Sequence, residues 1–246
     1  MRIIVNGAGG RMGRVLCDMI EEGRYGAILV GAAGRPSDCA RPALEEISAI
    51  ADCIIDVSHH SAVDRLMAHA RMRRTPVVIA TTGHTMKEMD LIKRGAEELP
   101  IFFSGNLSLG IALLMRLVRE AAAMLKDADV EIVERHHNGK LDVPSGTAWM
   151  LSRAITAVRS ELSPLIGRRD CGARGGRELG IHSLRMGNAI GTHEVIFSTD
   201  TECVTLKHEA QDRTLYADGA LRAAAFLIRQ PPGLYDMEHL LEERSL

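Results

Sequence analysis

Aromatic residues, excess charge and long apolar runs are all scarce in this 246-residue chain. Phe, Trp and Tyr together make up 3% of the residues, which argues against the aromatic platforms that stack nucleic-acid bases. The net charge of −2 indicates neither a nucleic-acid groove nor an anionic membrane surface. No apolar run approaches the ~18 residues of a membrane span, and the N-terminus lacks the apolar stretch of a signal peptide. We therefore expect neither a nucleic-acid partner nor a membrane association.

Cysteine usage points in the same direction. The five cysteines are odd in number and form no C-x-x-C pair, so neither a disulfide framework nor a zinc ribbon is predicted. Reduced thiols of this kind are typical of a cytoplasmic protein. The hydrophobic content of 46% over this length is enough for one large or two modest domains.

A glycine cluster follows the first apolar run. Residues 2–5 are predicted to form a strand, residues 14–22 a helix and residues 27–32 a second strand, with Gly7-Ala8-Gly9-Gly10-Arg11-Met12-Gly13 between strand and helix. The glycines fit G-x-x-G-x-x-G, since Met12 stands where G-x-G-x-x-G needs its last glycine. Strand, glycine turn and helix form the first part of a dinucleotide-binding unit, in which the helix N-terminus faces the pyrophosphate. The alternative is a turn that only packs the helix on the strand.

The residues after the second strand bear on the cofactor. An acid commonly stands there in NAD enzymes to hold the ribose hydroxyls. Here the sequence reads Gly31-Ala32-Ala33-Gly34-Arg35, with no acid and with Arg35 suitably placed for a 2′-phosphate. This favours NADPH, unless Arg35 is an ordinary loop cation.

Strands and helices then alternate up to about residue 106. Strands are predicted at 53–57, 76–80 and 101–103, and helices at 61–72 and 85–99. This alternation predicts a doubly wound α/β sheet, which binds ligands at the carboxyl ends of its strands. The segments 56–60, 80–83 and 104–107 lie at such ends, and we expect His59 and His60 to be helix-capping loop residues.

The second half has a different pattern. Helices are predicted at 109–126 and 149–162, a strand at 130–133, and a basic, glycine-rich loop at 163–178. Three segments, 179–184, 191–198 and 203–208, alternate as antiparallel strands do. An alanine-rich helix at 215–228 and a polar tail complete the chain. A second domain of mixed α and β structure is predicted.

The densest group of chemically useful side chains lies at 134–147, between the strand at 130–133 and the following helix. The imidazoles of His136 and His137 can transfer protons near neutral pH, and Lys140 supplies a positive charge. Gly146 and Thr147 open a helix whose N–H groups can receive an anion. Together they suit a carboxylate substrate that must also be protonated. The alternative is a solvated loop in which Ser145 merely caps a helix.

Several segments resemble the 4-hydroxy-tetrahydrodipicolinate reductase (dihydrodipicolinate reductase) family. The most specific is Glu-x-His-His-x-x-Lys-x-Asp-x-Pro-Ser-Gly-Thr at 134–147. Further matches are the glycine turn at 7–13, Ser-Gly-Asn-Leu-Ser-Leu-Gly at 104–110, and segments within 180–185, 191–197 and 218–224. The resemblance covers nearly the whole chain.

The resemblance implies a fold and an activity. It implies an N-terminal Rossmann domain at 1–106, with 214–246 packing back on it, and a C-terminal α+β domain with a mixed or antiparallel sheet at 107–213. It implies a homotetramer that transfers a hydride from NADPH or NADH to a cyclic unsaturated imine dicarboxylate on the diaminopimelate route to lysine.

The resemblance also implies roles for individual residues. His136 is the general acid, and Lys140 supports proton transfer and holds a substrate carboxylate. His137 contacts the substrate, and Gly146 and Thr147 hold a carboxylate. The expected cofactor residues are Gly7, Ala8, Gly9, Gly10, Arg11 and Met12 at the pyrophosphate, Arg35 at the adenosine ribose or its phosphate, and Ala80, Thr81, Thr82, Ser104, Gly105, Asn106 and Leu107 on the nicotinamide side.

Some positions depart from the family pattern. Ala80 replaces a usual glycine, and Val57-Ser58-His59-His60 replaces a Phe-Thr/Ser segment that is followed by a proline. Met186 replaces a usual glycine, and Thr192 replaces a frequent glutamate. None of these changes His136, His137 or Lys140.

Three other readings compete with this one. The chain could be a related Rossmann dehydrogenase with another substrate, or a non-catalytic NADP-binding sensor, but neither needs the 134–147 segment. A metal site could be built from His136, His137, His193 or His208. No H-x-x-x-H spacing exists, so we expect no metal.

Overall fold

The computed structural model describes residues 1–34, 41–168 and 171–243. The chain forms two compact units, Met1–Ser108 together with the chain from Thr214 onward, and Leu109–Arg213. In chain order the elements are β1 (Arg2–Asn6), α1 (Arg11–Glu21), β2 (Ile28–Ala33), β3 (Cys53–Asp56), α2 (Val63–Arg73), β4 (Val77–Ile79), α3 (Met86–Ala96), β5 (Pro100–Phe103), α4 (Leu109–Met124), β6 (Asp129–His136), α5 (Gly146–Thr156), β7 (Ser163–Ile166), β8 (Glu178–Arg185), β9 (Gly191–Ser198), β10 (Cys203–Ala210), α6 (Thr214–Leu227), β11 (Gly233–Tyr235) and α7 (Met237–Glu243).

The first unit contains a six-stranded parallel sheet in the order β11-β5-β4-β3-β1-β2. Strands β3 and β4 are buried along their whole length, which explains their unbroken apolar sequences. Helices α2 and α3 pack through Leu66, Met67 and Ile92 into one core, and α6 packs on β3, β4 and β5. The predicted Rossmann-type α/β fold is confirmed.

The second unit contains a five-stranded mixed sheet in the order β10-β9-β6-β8-β7. Strand β6 pairs parallel with β8 and antiparallel with β9. Helices α4 and α5 cover its apolar face, with Val118, Leu151 and Ile155 in the core. The predicted α+β domain with a mixed sheet is confirmed.

Two predictions for the second unit were wrong. The segment 179–184 was expected to alternate with its neighbours as antiparallel strands do, but β8 is parallel to both of its neighbours, β6 and β7. A parallel pairing needs a crossover, and α5 supplies one between β6 and β7. The predicted loop at 163–178 contains β7, whose four exposed residues carry no buried alternation that could reveal a strand.

The polar tail predicted after α6 also contains structure. Strand β11 extends the first sheet by pairing with β5, and α7 buries Met237 and Leu240. The ring of Tyr235 packs edge-on against Phe226, with centroids 5.6 Å apart. A three-residue strand and a seven-residue helix are too short for periodicity to predict.

No helix in the part of the chain that the structure describes is long and apolar enough to cross a membrane.

Close backbone contact holds α6 against the loop that follows β5. A Cβ atom on Gly219 would lie 1.8 Å from the carbonyl oxygen of Leu107, so no larger residue fits without movement of the helix or the loop. Alanine raises helix propensity by about 1 kcal/mol over glycine. Forced overlap in a packed interior costs about 1–3 kcal/mol, and here the obstacle is rigid backbone.

We therefore expect Gly219→Ala to lower the melting temperature by several degrees, measured by calorimetry. Gly176→Ala is the control, since a Cβ there would meet no atom within 4 Å. Equal melting temperatures for the two variants would contradict the steric argument.

Candidate active site

Strand β6 places the first part of the predicted substrate segment. It runs to His136, so Glu134, Arg135 and His136 belong to the strand rather than to the loop that was predicted to begin at Glu134. Alternate residues of β6 are buried, namely Val130, Ile132, Glu134 and His136. The face that packs on the helices therefore ends in a carboxylate and an imidazole.

Glu134 is completely buried and is surrounded by donors. Its Oε2 lies 2.5 Å from Nδ1 of His136 and accepts from Nη1 of Arg185 at 2.9 Å. Its Oε1 accepts from Nη2 of Arg185 at 2.9 Å and from the Ser145 backbone N–H at 3.1 Å. Burial by itself would raise the pKa of Glu134, but the hydrogen bonds from His136 and Arg185 outweigh it and hold that pKa far below its usual range. Glu134 is therefore ionised.

Ser145 caps α5 at the end of the segment. Its hydroxyl oxygen accepts from the Ala148 N–H at 3.2 Å and lies 3.1 Å from Nε2 of His193. Gly146 and Thr147 form the first turn of the 11-residue helix, where backbone N–H groups are not used within the helix. Gly146 is exposed, and a Cβ on it would meet nothing within 4 Å.

The loop between β6 and α5 carries Lys140. Its side-chain Nζ lies 2.8 Å from Oδ1 of Asp142, and its backbone N–H donates to the His137 carbonyl oxygen at 3.2 Å. Arg185 donates from Nη2 to the Asp142 carbonyl at 2.7 Å, which links the loop to the Glu134 cluster. The Val143–Pro144 peptide bond in this loop is cis.

His193 on β9 is a neighbour of His136 to which the sequence analysis assigned no catalytic or substrate-binding role; it was named only within a family-matching segment and as a rival metal ligand. Its ring packs edge-on against that of His136, with centroids 5.2 Å apart. Burial is the main cause that lowers the pKa of His193 to about 3, and electrostatic repulsion from His136 is the second. His193 is therefore neutral at physiological pH. The sequence reading also gave no role to Glu134 or Arg185. The spacing of Glu134 two residues before His136, on one face of a strand, could have indicated the first of them.

The described residues, with gaps at 35–40, 169–170 and 244–246, contain no group of three His, Cys, Asp or Glu side chains arranged to hold a metal ion. His136 uses Nδ1 on Glu134, and His193 uses Nε2 on Ser145.

The first unit has a cavity of about 430 Å³ at the carboxyl ends of its strands. The loops after β3, β4 and β5 line it, and Tyr216 and Ala220 of α6 contribute from the helix side. Eight of the predicted cofactor residues line this cavity: Met12, Ala80, Thr81, Thr82, Ser104, Gly105, Asn106 and Leu107. Arg35 lies outside the described residues.

The glycine turn lies before the first helix. Gly7 adopts φ +89° and a Cβ on it would lie 2.8 Å from Ser58 backbone atoms. A Cβ on Gly13 would lie 2.2 Å from the Gly7 carbonyl oxygen, which explains this glycine by close packing of helix and turn. Helix α1 begins at Arg11, and its N-cap residue, Gly10, has no side chain that could accept a hydrogen bond from the N–H groups of the first turn. This arrangement suits a pyrophosphate, and Met12 in the first turn of α1 lines the cavity.

The buried carboxylate of Asp56 joins the ends of neighbouring strands of the first sheet through hydrogen bonds. It accepts from Asn6 Nδ2 at 2.7 Å, Ser58 Oγ at 2.6 Å and Thr81 Oγ1 at 2.6 Å. Burial raises the pKa of its carboxyl group. His59 accepts from the Ser61 N–H as a cap, as expected.

His60 differs from its predicted capping role. It lines the cavity and places Nδ1 3.0 Å from both carboxylate oxygens of Glu88.

The low pKa of His193 makes the second unit sensitive to acid. The unfolded chain binds a proton at His193 near the ordinary histidine value of about 6.5, whereas the folded unit binds it only near 3. The contribution of neutral His193 to the free energy of unfolding is therefore fully present above about pH 6.5 and is lost as the pH falls toward 3. At pH 5 this contribution has decreased by roughly 2 kcal/mol.

Urea unfolding followed by Trp149, the one tryptophan, which lies on α5, measures this loss. We expect His193→Gln to show a smaller stability difference between pH 7 and pH 5, and His182→Gln to keep the wild-type difference. An unchanged difference in His193→Gln would refute the assignment.

Comparisons with known proteins indicate the same family for both halves of the chain. Residues 1–107 match the family model for the dihydrodipicolinate reductase N-terminus, and residues 110–241 match the model for its C-terminus. The chain is 42% identical over 248 residues to the 4-hydroxy-tetrahydrodipicolinate reductase of Caldanaerobacter subterraneus subsp. tengcongensis, covering 99% of each. It is 40% identical to the same-named protein of an Exiguobacterium species, covering 100% of this chain and 97% of the relative.

A solved structure has the same fold. The dipicolinate-bound dihydrodipicolinate reductase of Paenisporosarcina sp. TG-14 superposes with a TM-score of 0.78 at 23% identity, over 96% of this chain and 97% of that one. Diaminopimelate dehydrogenase of C. glutamicum is more distant, with a TM-score of 0.57 at 13% identity, over 98% of this chain and 95% of that one. By the match of both family models and by its full-length relatives, this chain belongs to the dihydrodipicolinate reductase family of oxidoreductases.

Proposed function

We propose that this enzyme reduces the cyclic unsaturated imine dicarboxylate derived from (4S)-4-hydroxy-tetrahydrodipicolinate to tetrahydrodipicolinate, on the diaminopimelate route to lysine. The observation that carries the proposal is the cluster at the end of β6. There an imidazole is paired with a buried carboxylate beside a serine-capped helix N-terminus and a lysine-bearing loop. The family and the names of its members support the same reaction.

His136 is the proposed general acid. When bound, the reduced nicotinamide supplies the hydride. Hydride addition to a conjugated imine moves an electron pair toward the ring nitrogen, where a nearby acid must meet it. His136 holds Nδ1 on Glu134, which leaves Nε2 to deliver the proton. Neutral His193 packs against the ring without adding a second positive charge.

The remaining side chains of the segment are proposed to bind the two carboxylates. Lys140 supplies a cation that supports proton transfer and holds one carboxylate, after exchanging its contact with Asp142 for the substrate. Gly146 and Thr147 offer the N–H groups of the α5 N-terminus to a carboxylate, and His137 contacts the substrate. The dipicolinate bound by the Paenisporosarcina relative is a ring dicarboxylate of this kind.

The cofactor is proposed to bind in the first unit. Residues Gly7 to Met12 receive the pyrophosphate, and Ala80–Thr82 with Ser104–Leu107 face the nicotinamide. NADPH is the proposed preferred cofactor because Arg35, and no acid, follows the second strand in the sequence.

We also propose a homotetramer. Exposed apolar side chains on the sheet of the second unit, among them Leu165, Ile166 and Leu184, support an interface there. Light scattering should give about four times the mass of one chain.

A coupled assay tests the reaction. The cyclic imine is generated in situ by a dihydrodipicolinate synthase, and oxidation of the reduced cofactor is followed by absorbance. We expect His136→Ala and Lys140→Ala each to reduce kcat/KM by about 100-fold or more, since general acid catalysis contributes about 10²–10⁴-fold.

His182→Ala is the matched control, because this histidine pairs with Glu131 on the opposite face of the sheet. NADPH binding without turnover of the wild-type enzyme would reject the reductase proposal in favour of a cofactor-binding protein or another substrate.

A second assay tests the cofactor preference. Arg35→Ala should raise KM for NADPH by about tenfold, as expected for one charged contact to a phosphate, and leave KM for NADH unchanged. Equal effects on the two cofactors would remove Arg35 from 2′-phosphate recognition.

A further inference from the structure

We propose that Glu134 and Arg185 act together as positioning residues that orient the acid His136 and connect it to both carboxylate-binding parts of the site. This inference rests on the proposed function and assigns roles to two residues that do not themselves need to contact the substrate.

The Glu134 carboxylate has an unusually large number of hydrogen-bond partners. Four hydrogen bonds reach Glu134, from His136 on β6, from two nitrogens of Arg185 on β8, and from the Ser145 N–H at the start of α5. Because Glu134 is completely buried, water does not compete for these positions. The carboxylate therefore joins three separate segments in one geometry.

The contact with Glu134 determines the tautomer of His136. An ionised carboxylate only accepts hydrogen bonds, so Nδ1 of His136 carries a proton and Nε2 is the atom that exchanges a proton with the substrate. Gly191 leaves room at that atom, since a Cβ on it would lie 3.1 Å from Nε2. The negative charge of Glu134 also stabilises the imidazolium that a general acid requires.

The charged groups around the imidazoles of His136 and His193 decide whether Glu134 can have this effect. The groups that act there are Arg185 on β8, His193 on β9, His208 on β10, and Lys140 in the loop. Arg185 and Lys140 are cations that oppose a further positive charge, and Asp142 is paired with Lys140. Glu134 is the carboxylate in direct contact with the His136 ring, so it supplies the main attraction for the proton.

Arg185 supplies the counter-ion of Glu134. A dianionic substrate would be repelled by a nearby buried carboxylate that had no counter-ion. The bidentate guanidinium neutralises Glu134 and also donates to the Asp142 carbonyl, beside the partner of Lys140. Arg185 therefore lets one carboxylate hold the acid without repelling the substrate, and it connects the acid to the lysine loop.

The main experiment is Glu134→Gln, which preserves side-chain size and removes the charge. We expect kcat at pH 7.5 to fall by about 100-fold, the lower end of the ~10²–10⁴-fold that general acid catalysis contributes. Because the imidazolium loses its stabilising charge, the decline of kcat with rising pH should begin at lower pH than in the wild type. The deficit should therefore be smaller at pH 6 than at pH 8, with KM for NADPH unchanged.

The matched control is Glu131→Gln. Glu131 lies on the same strand, on the opposite face, and also pairs with a histidine and an arginine, His182 and Arg174. It should leave the pH profile unchanged. A Glu134→Gln loss that is equal at every pH would show a merely structural role for Glu134 and overturn the proposal.

Variants of Arg185 keep the proposal testable if Glu134→Gln fails to fold. Arg185→Met should weaken binding of pyridine-2,6-dicarboxylate by at least tenfold in calorimetry. Arg185→Lys, which keeps the charge but not the bidentate geometry, should restore part of that binding. Wild-type affinity in Arg185→Met would overturn the role of Arg185.

A final measurement does not depend on turnover. In ¹⁵N-histidine spectra above neutral pH, assigned with His136→Gln, wild-type His136 should carry its proton on Nδ1, and Glu134→Gln should change this tautomer. A wild-type proton on Nε2 would overturn the proposal even if the reductase activity is found. Absence of imine reduction, with the Nδ1 tautomer present, would reject the proposed function and leave the Glu134–His136 arrangement intact.

Discussion

A fully buried carboxylate requires hydrogen-bond donors on both of its oxygens, and the site in the second unit is arranged around this requirement at Glu134. Its partners come from β6, from β8 and from the turn before α5, so the ends of three segments must meet at one position. The parallel pairing of β6 with β8 places Arg185 opposite His136 in the sheet register. The mixed sheet is thus the framework that lets one carboxylate contact an imidazole, a guanidinium and a helix cap together.

The first unit meets a similar requirement at Asp56. Three side chains from β1, from the loop after β3 and from the segment after β4 donate to it. Two of them, Ser58 and Thr81, line the cavity at the strand ends. Around that cavity the limiting factor is backbone approach. Glycine is needed at 13 and 219 because a Cβ at either position would overlap a carbonyl oxygen. Close packing of helices against loops limits the space there, and most of the residues that line the cavity belong to the loops after β3, β4 and β5.

Local pattern was sufficient for much of the architecture. The buried strands of the first sheet are continuous apolar runs, and α1, α2 and α3 follow helical periodicity, so the doubly wound unit was predictable. The exposed strand β7, the short β11 and α7, and the parallel pairing of β8 were not predicted, because their placement depends on partners far away in the chain. In the site, the sequence indicated the histidines, the lysine and the helix cap. Arg185 was missed because it lies 51 residues from Glu134 and meets it only across the sheet.

The sequence by itself determined the α/β class, the family and the set of chemically useful side chains, since all of these are expressed in residue type and short spacing. Only the tertiary structure decided how those side chains are paired. Whether Glu134 is ionised, which nitrogen of His136 contacts Glu134 and why His193 remains neutral all depend on burial and on partners from other segments. Burial is a property of the packed chain, because the cost of a charge is set by the water that neighbouring segments exclude.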